Sequence, residues 1–381
     1  MRIALIKRRY SLRSGGSERY CVNLSRWLTA AGHDVTVIGE SVDDELQDDV
    51  NFVQVKVNNL TSSTRNWSFA ANCGRAARAG KYDIVYGLGR AMGLDAVRIT
   101  ERLQSHWVRV CYRHPAHRFV QLLNPRHRTL IGLERAIYQS LDVRRIVTQS
   151  QLDRRLVMEN YGIPEEKIRT IYNGVDTSVF NPGVRARRCE VREELGVPCD
   201  EPLLVFAAMD FEGKGLRSVL NAMKASRHRD ARLLVLGTGP VRRFSRIAGQ
   251  LGVAERVIFP GRRSDIEFCY GAGDLFLLPT AYEPFPNVNL EAMACGLPVV
   301  TTETAGGADV IEHGANGYLV ARMDAVSELT DCIDHHLSLG STEREAMSIE
   351  CARRAGRMTV EENMRQTLEM FEEVLVEKFR V

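Results

Sequence analysis

Two glutamates, Glu283 and Glu291, stand eight positions apart in YEPFPNVNLEAM (282–293), around two prolines and two asparagines. A carboxylate accepts two O–H donors at once, so one carboxylate on each side of a site suits hydroxyls, such as those of a ribose and of a sugar. Two such charges repel and lose hydration unless something positive lies between them. Residues 274–279 read as a strand, and the run from Pro286 to Gly296 reads as a helix with Pro286 at its first position beside Asn287. Glu283 then lies in the loop ahead of that helix and Glu291 about a turn inside it. The free N–H groups between them favour an anion. Lys214, in the glycine setting of FEGKG (211–215), adds a flexible point charge suited to phosphate. A diphosphate held between a ribose and a sugar fits this set. A capping acid, a solvated helix glutamate and a loop lysine fit the spacing as well.

Other glycine loops invite the same weighing. Gly15 and Gly16 precede a helix start near Ser17, and Gly237 and Gly239 lie in GTGP after another strand. Each is either a phosphate loop or a β–α turn that needs glycine. Gly87, Gly89 and Gly93 in DIVYGLGRAMG resemble a dinucleotide fingerprint. That pattern closes one residue earlier and sits on the first strand of its domain, so no nicotinamide site is expected.

The elements that must position these residues recur with one rhythm. RIALI, VTVI, FVQVKV, DIVYGL, RIVTQS and IRTIYNG in the first half, and LLVFAAM, RLLVLG, VIFPG, DLFLLP and LPVVTT in the second, are short apolar strands with helical stretches between them. The clearest helix carries Tyr20, Leu24, Trp27, Leu28 and Ala31 at 3.6-residue spacing, with Gly32 to end it. The rhythm predicts an α/β protein of two doubly wound domains with parallel sheets, enclosing a cleft at the carboxyl ends of the strands. The first domain is placed at 1–175 and the second at 176–359. The polar, proline-bearing run 181–202 reads as boundary material. A last helix over 360–381, opened by Thr359 with Glu362 and carrying Met364, Leu368, Phe371, Leu375 and Phe379, is expected to pack back on the first domain.

The chain has 381 residues, 44% hydrophobic and 26% charged, enough for two cores. Nine cysteines without a C-x-x-C pair point away from disulfides and zinc, toward a reducing cytoplasm. No apolar run reaches the roughly 18 to 20 residues of a membrane span, and MRIALIKRRY is too brief for a signal peptide, so a cytoplasmic protein is expected. A net charge of +3 does not point to nucleic acid. One region is less even. From Arg98 to Arg128 there are seven arginines and four histidines against the single acid Glu101, with Trp107, Phe119, Leu122 and Leu123 among them. Such a stretch either docks on an anionic membrane or forms a solvated face.

EPFPNVNLEAMACGLPVVTT closely resembles the E-x7-E segment of glycosyltransferase family 4, retaining enzymes of the GT-B fold. GGSERYCVNLSRWLTAAGHDVTVI, IRTIYNGVDTSVFNP, VIFPGRRSDIEFCYGAGDLFLLPT and GGADVIEHGANGYLV are similar to further blocks of the family, in the family's order. AMDFEGKG, LERAIYQ and the basic region look most like the lipopolysaccharide core α-1,3-glucosyltransferases within it. The resemblance implies transfer of a hexose from a UDP-sugar, with UDP-glucose as the expected donor, to a lipid-linked saccharide on the inner face of the cytoplasmic membrane. It needs neither metal nor cofactor. It implies that Glu291 binds the ribose and Glu283 the donor sugar, helped by backbone N–H groups near Phe285, Asn287 and Val288. Lys214 would neutralise the leaving diphosphate, Gly15 and Gly16 would close over it, and Arg262 with Gly237 and Gly239 would lie near the base. Either Glu101 or His106 would orient the acceptor hydroxyl. Two positions depart from the family pattern: Gly213 stands where an arginine commonly precedes the lysine, and Pro286 where glycine is usual. A sugar-nucleotide 2-epimerase and a non-catalytic sugar-nucleotide-binding module are the alternative readings.

Overall fold

The computed structural model describes residues 1–13 and 15–380. The chain forms two compact units, one of Met1–Tyr172 with the residues from Asn363 onward, the other of Asn173–Glu362.

The first unit is built on strands β1 (Arg2–Ile6), β2 (Arg9–Tyr10), β3 (Asp34–Gly39), β4 (Ser41–Val42), β5 (Asn51–Gln54), β6 (Ile84–Gly87), β7 (Ala96–Arg98), β8 (Arg145–Thr148) and β9 (Ile168–Thr170). Seven of them make a parallel sheet in the order β5-β3-β1-β6-β7-β8-β9, while β2 and β4 pair separately. β1 and β6 are almost wholly buried, as strands of a parallel sheet covered on both faces must be. The helix Gly16–Ala30 buries Cys21, Val22, Leu24 and Leu28, and Gly32, at φ 82°, turns the chain out of it.

β7 escapes a reading by apolar runs because it has three residues, one of them charged. Arg98 is 1% exposed, donates to the Ile171 carbonyl at 3.0 Å and stacks over Tyr20. It is therefore a core residue and no part of a basic surface. The C-terminal helix, Val360–Phe379, lays Phe371 edge-on against Tyr86 at 4.9 Å. Its buried face runs through Asn363, Met364, Thr367, Met370, Phe371 and Val374, rotated from the apolar stripe, and leaves Phe379 74% exposed. The rotation brings in two polar residues whose donors are met by backbone: Asn363 donates to the Tyr172 carbonyl and Thr367 to that of Asn363.

The second unit carries β10 (Leu203–Ala207), β11 (Arg232–Leu236), β12 (Val257–Gly261), β13 (Leu275–Leu278), β14 (Val299–Thr302) and β15 (Gly317–Val320) in the order β12-β11-β10-β13-β14-β15, all parallel. The segment 181–202 is not a linker. It forms the turn Pro182–Arg187 and the helix Arg188–Glu194 inside this unit. Arg192 is fully buried there, donating to the carbonyls of Ala272, Pro198 and Glu201 and to Asp274 at 2.7 Å, while Arg188 reaches the other oxygen of Asp274 at 2.6 Å. Asp274 also accepts from the Leu203 N–H at 2.8 Å, so the cluster pins the starts of β10 and β13.

In each sheet the strand order reverses between two neighbours, β1 and β6 in the first unit and β10 and β13 in the second. The crevice beyond the carboxyl ends of such a pair is where open α/β sheets take ligands.

Candidate functional site

At the reversal point of the second unit, Lys214 follows β10 and Glu283 follows β13. Phe211 anchors the lysine loop, buried against Phe206 and Phe244 with ring centroids 6.0 and 5.6 Å away. Gly215, at φ 85°, starts the helix Leu216–Ala225, and a Cβ there would lie 2.4 Å from the Pro279 carbonyl oxygen, so only glycine fits. The Gly213 carbonyl accepts from Thr280 Oγ1 and from the Ala281 N–H, both at 3.2 Å, tying the loop to the end of β13. Glu283 is held in turn by Gly306, whose N–H donates to its carbonyl at 2.8 Å. The result is an ion pair, Lys214 Nζ to Glu283 Oε2 at 2.7 Å, with the two side chains 15% and 25% exposed.

Glu291 sits on the helix Asn287–Ala294, for which Pro286 is the residue just before the first turn rather than its first member. The Tyr270 hydroxyl donates to Glu291 Oε2 at 3.4 Å. Tyr270 is fully buried against Phe276, and burial, then the nearby Glu291 charge, push its phenol well above the usual range. It stays a donor and steadies the carboxylate. Phe285 is buried, Val288 is half-buried, and the Asn287 amide oxygen accepts from Asn173. A Cβ on Gly237, at φ 127°, would strike the Ala208 carbonyl, and one on Gly239 would enter the Phe211 ring. The GTGP loop therefore lies directly on the lysine loop. Arg262 is exposed just after β12, whereas Arg263 is taken up by Asp265 and Glu194. All these groups stand at one carboxyl edge, and Lys214 and Glu283 touch.

The reversal point of the first unit forms a recess lined by Lys7 and Arg8 after β1, Gly89 and Arg90 after β6, and by Glu18 and Glu101. Gly15 precedes the first turn of the helix Gly16–Ala30, and Lys7 Nζ reaches Ser17 Oγ at 2.8 Å and Glu18 at 3.3 Å beside that turn. Arg90 bridges the half-exposed Glu101 and the fully buried Glu134, at 2.6 Å from the latter, and also donates to the Arg102 carbonyl. Glu134 accepts further bonds from the Gln104 N–H and the Tyr161 hydroxyl. Arg90 holds the Glu101 carboxyl below its ordinary range, so Glu101 accepts hydrogen bonds at neutral pH but does not hold a proton. His106, on the helix Gln104–Cys111, is half-buried, and burial and then Arg109 push its imidazole down. It does not line the recess with Glu101. Gly87 and Gly93 pack against Leu94 and Gly74, which explains two of the three glycines of that run without a nucleotide.

Sequence reasoning missed Tyr270, Arg90 and Glu134. A buried tyrosine or arginine carries no local signal of what it holds. Among the described residues no group of His, Cys, Asp and Glu is placed to hold a metal, and no helix is long and apolar enough to cross a membrane. The helix Pro115–Leu123 buries nothing and exposes Phe119, Val120, Leu122 and Leu123.

The Glycosyltransferase Family 4 model matches residues 14–179 and the Glycosyl transferases group 1 model matches residues 201–338. The chain is 27% identical over 334 residues to the uncharacterized glycosyltransferase MJ1607 of Methanocaldococcus jannaschii, covering 84% of this chain and 85% of that protein. It is 26% identical over 326 residues to the lipopolysaccharide glucosyltransferase WaaG of Escherichia coli K12, with the same coverage. The crystal structure of WaaG superposes with a TM-score of 0.82 at 23% identity, covering 97% of this chain and 99% of that one. The structure of Anabaena Alr3699/HepE in complex with UDP-glucose superposes at 0.73 and 18% identity, covering 98% and 100%. The two doubly wound units are those of the GT-B fold.

Proposed function

Because this chain belongs to the family 4 glycosyltransferases, we propose that it transfers a hexose, glucose in the first instance, from UDP-glucose to a lipid-linked saccharide such as a lipopolysaccharide core, with retention at the anomeric carbon. The observation that carries the reading is the Lys214–Glu283 pair at the reversal point of the second sheet, with Glu291 on the helix that follows. A diphosphate arriving at the N-terminus of that helix competes with Glu283 for Lys214. As the ammonium turns to the phosphate oxygens, Glu283 is released to accept hydrogen bonds from sugar hydroxyls. Glu291, held by Tyr270, accepts those of the ribose.

When the bond from the anomeric carbon to the diphosphate oxygen breaks, Lys214 and the helix N–H groups stabilise the charge that develops there. The departing diphosphate takes the proton of the incoming hydroxyl on the same face, so neither glutamate attacks carbon. Positive charge from Lys214 and the helix end serves where a metal otherwise would, and transfer proceeds in EDTA. The complex of Anabaena HepE with UDP-glucose supports the choice of donor, and the name of the Escherichia coli relative supports the choice of acceptor.

The acceptor lies in a bilayer, so the enzyme works at its surface on the inner face of the cytoplasmic membrane. The unburied helix Pro115–Leu123, with Arg109, Arg113 and Arg118 on and before it, is the proposed contact. The deciding experiment is incubation with UDP-glucose and lipopolysaccharide core acceptors, with and without EDTA, followed by NMR of the product. An α-linked product formed in EDTA is expected. An epimerised sugar nucleotide in the absence of acceptor, or a β-linked product, would refute the reading.

A further inference from the structure

The charges around the recess of the first unit do not balance evenly. Its floor is apolar, made by Ile6, Phe69 and Leu88, and its walls are charged. Lys7 is matched by Glu18 at 3.3 Å, and Arg90 is matched twice, by Glu101 and Glu134. Arg8 is different. Its nearest carboxylate, Glu40, is 4.0 Å away and already receives two hydrogen bonds from Arg65, at 3.1 and 3.2 Å. Its remaining contacts are the neutral Asn66 amide oxygen at 2.9 Å and the face of Phe69 at 4.6 Å. Two arginines thus share one carboxylate, and the one that lines the recess has the weaker claim. Burial, reinforced by Arg65 and only partly offset by Glu40 and Glu101, pushes the Arg8 guanidinium down. A desolvated cation with a distant, shared counter-charge gains most from an anion brought by a ligand.

Beside Arg8 the recess offers Glu101, ionised and half-exposed, and Glu18, two carboxylates suited to hydroxyls. We infer that this recess binds a phosphorylated saccharide, with Arg8 on the phosphate and Glu101 and Glu18 on ring hydroxyls. The inference rests on the sugar-transfer reading and specifies its acceptor as a sugar bearing an anionic group. Asn66 orients the guanidinium and Arg90 orients Glu101; both are positioning residues.

Phosphate chemistry at Arg8 has two sources, an acceptor phosphate or the diphosphate of the donor, and the test separates them. The full chain is titrated calorimetrically with glucose 6-phosphate, glucose 1-phosphate and inositol 3-phosphate, with the unphosphorylated parent of each, and with UDP. At least one phosphorylated sugar should bind about tenfold or more tightly than its parent, as expected of charge-assisted bidentate contacts. Arg8→Gln should reduce that preference to within about twofold, Arg8→Lys should keep part of it as a point charge would, and UDP affinity should stay within about twofold in both. Unchanged UDP binding also reports that the variants are folded. Equal binding of every sugar phosphate and its parent, or a preference that survives Arg8→Gln, would overturn the inference. So would a loss of UDP affinity matching the loss for sugar phosphates, which would assign Arg8 to the donor. Failure of the parent protein to bind UDP at all would overturn the sugar-transfer reading itself.

Discussion

Replacing Lys214 by alanine tests the site at its centre. At 2.7 Å and an effective dielectric constant near 20, the gross attraction between Lys214 and Glu283 is about 6 kcal/mol. That energy is not available for catalysis, because the lysine must give up Glu283 to reach a diphosphate. What counts is the surplus of the phosphate contact over the carboxylate contact as charge develops on the leaving group. Removing one preorganised donor of this kind costs roughly 3 to 4 kcal/mol, so kcat should fall by about 100- to 1,000-fold. UDP affinity should fall less, by about tenfold, since the ground-state diphosphate exchanges one anion for another.

The same competition gives a sign that a plain loss of charge would not. Glu283→Gln frees Lys214, so it should tighten UDP a few-fold while impairing transfer, and in the double variant Glu283→Gln should leave UDP affinity where Lys214→Ala alone put it. Calorimetry with UDP and a UDP-release assay supply both quantities. A Lys214→Ala turnover within about threefold of the parent, or weaker UDP binding by Glu283→Gln, would refute the exchange.

Glu291→Ala should weaken UDP and UDP-glucose alike by about 10- to 100-fold, measured by calorimetry, because a carboxylate on a diol makes charge-assisted bonds. Changing Arg109, Arg113 and Arg118 together to Glu should abolish salt-sensitive co-sedimentation with anionic vesicles, each arginine contributing about 1 kcal/mol near such a surface. Arg192→Ala should destabilise the second unit by roughly 3 to 5 kcal/mol, lowering its Tm by about 10 °C, since Asp274 is left short of a buried partner. His336 is buried, donates through Nε2 to the Asp274 carbonyl and accepts from Tyr318, and burial lowers its pKa to about 4. A folded-state value below the ordinary 6.5 or so means that the unfolded chain binds the proton first. Stability is therefore full above about pH 6.5 and falls as pH drops toward 4, by about 2 kcal/mol between pH 7 and 5, and His336→Gln should flatten this slope in denaturant titrations.

The doubly wound architecture was legible because strands covered on both faces leave continuous apolar runs, and RIALI and LLVFA are such runs. β7 was not, since its third residue is an arginine whose charge is satisfied by a carbonyl and a ring distant in sequence. The run 181–202 has the composition of a linker, yet two of its arginines, Arg188 and Arg192, turn inward and are neutralised by Asp274 some 80 residues later. At the site, the pairing of Glu283 with Glu291 around a helix start could be read from spacing because it is local. The ion pair of Glu283 with Lys214, the hold of Tyr270 on Glu291 and the bridge of Arg90 between Glu101 and Glu134 join residues that only the strand order brings together. No periodicity records them.

The return of the C-terminal helix to the first unit sets an order of events on the ribosome. Tyr86 meets Phe371 only after about 190 further residues, the whole of the second unit, have been added beyond Tyr172. At about 5 to 20 residues per second the nascent first unit waits roughly 10 to 40 seconds with the groove for that helix uncovered. During this interval its apolar residues are open to chaperones, and the second unit, contiguous in sequence, is the one able to close first.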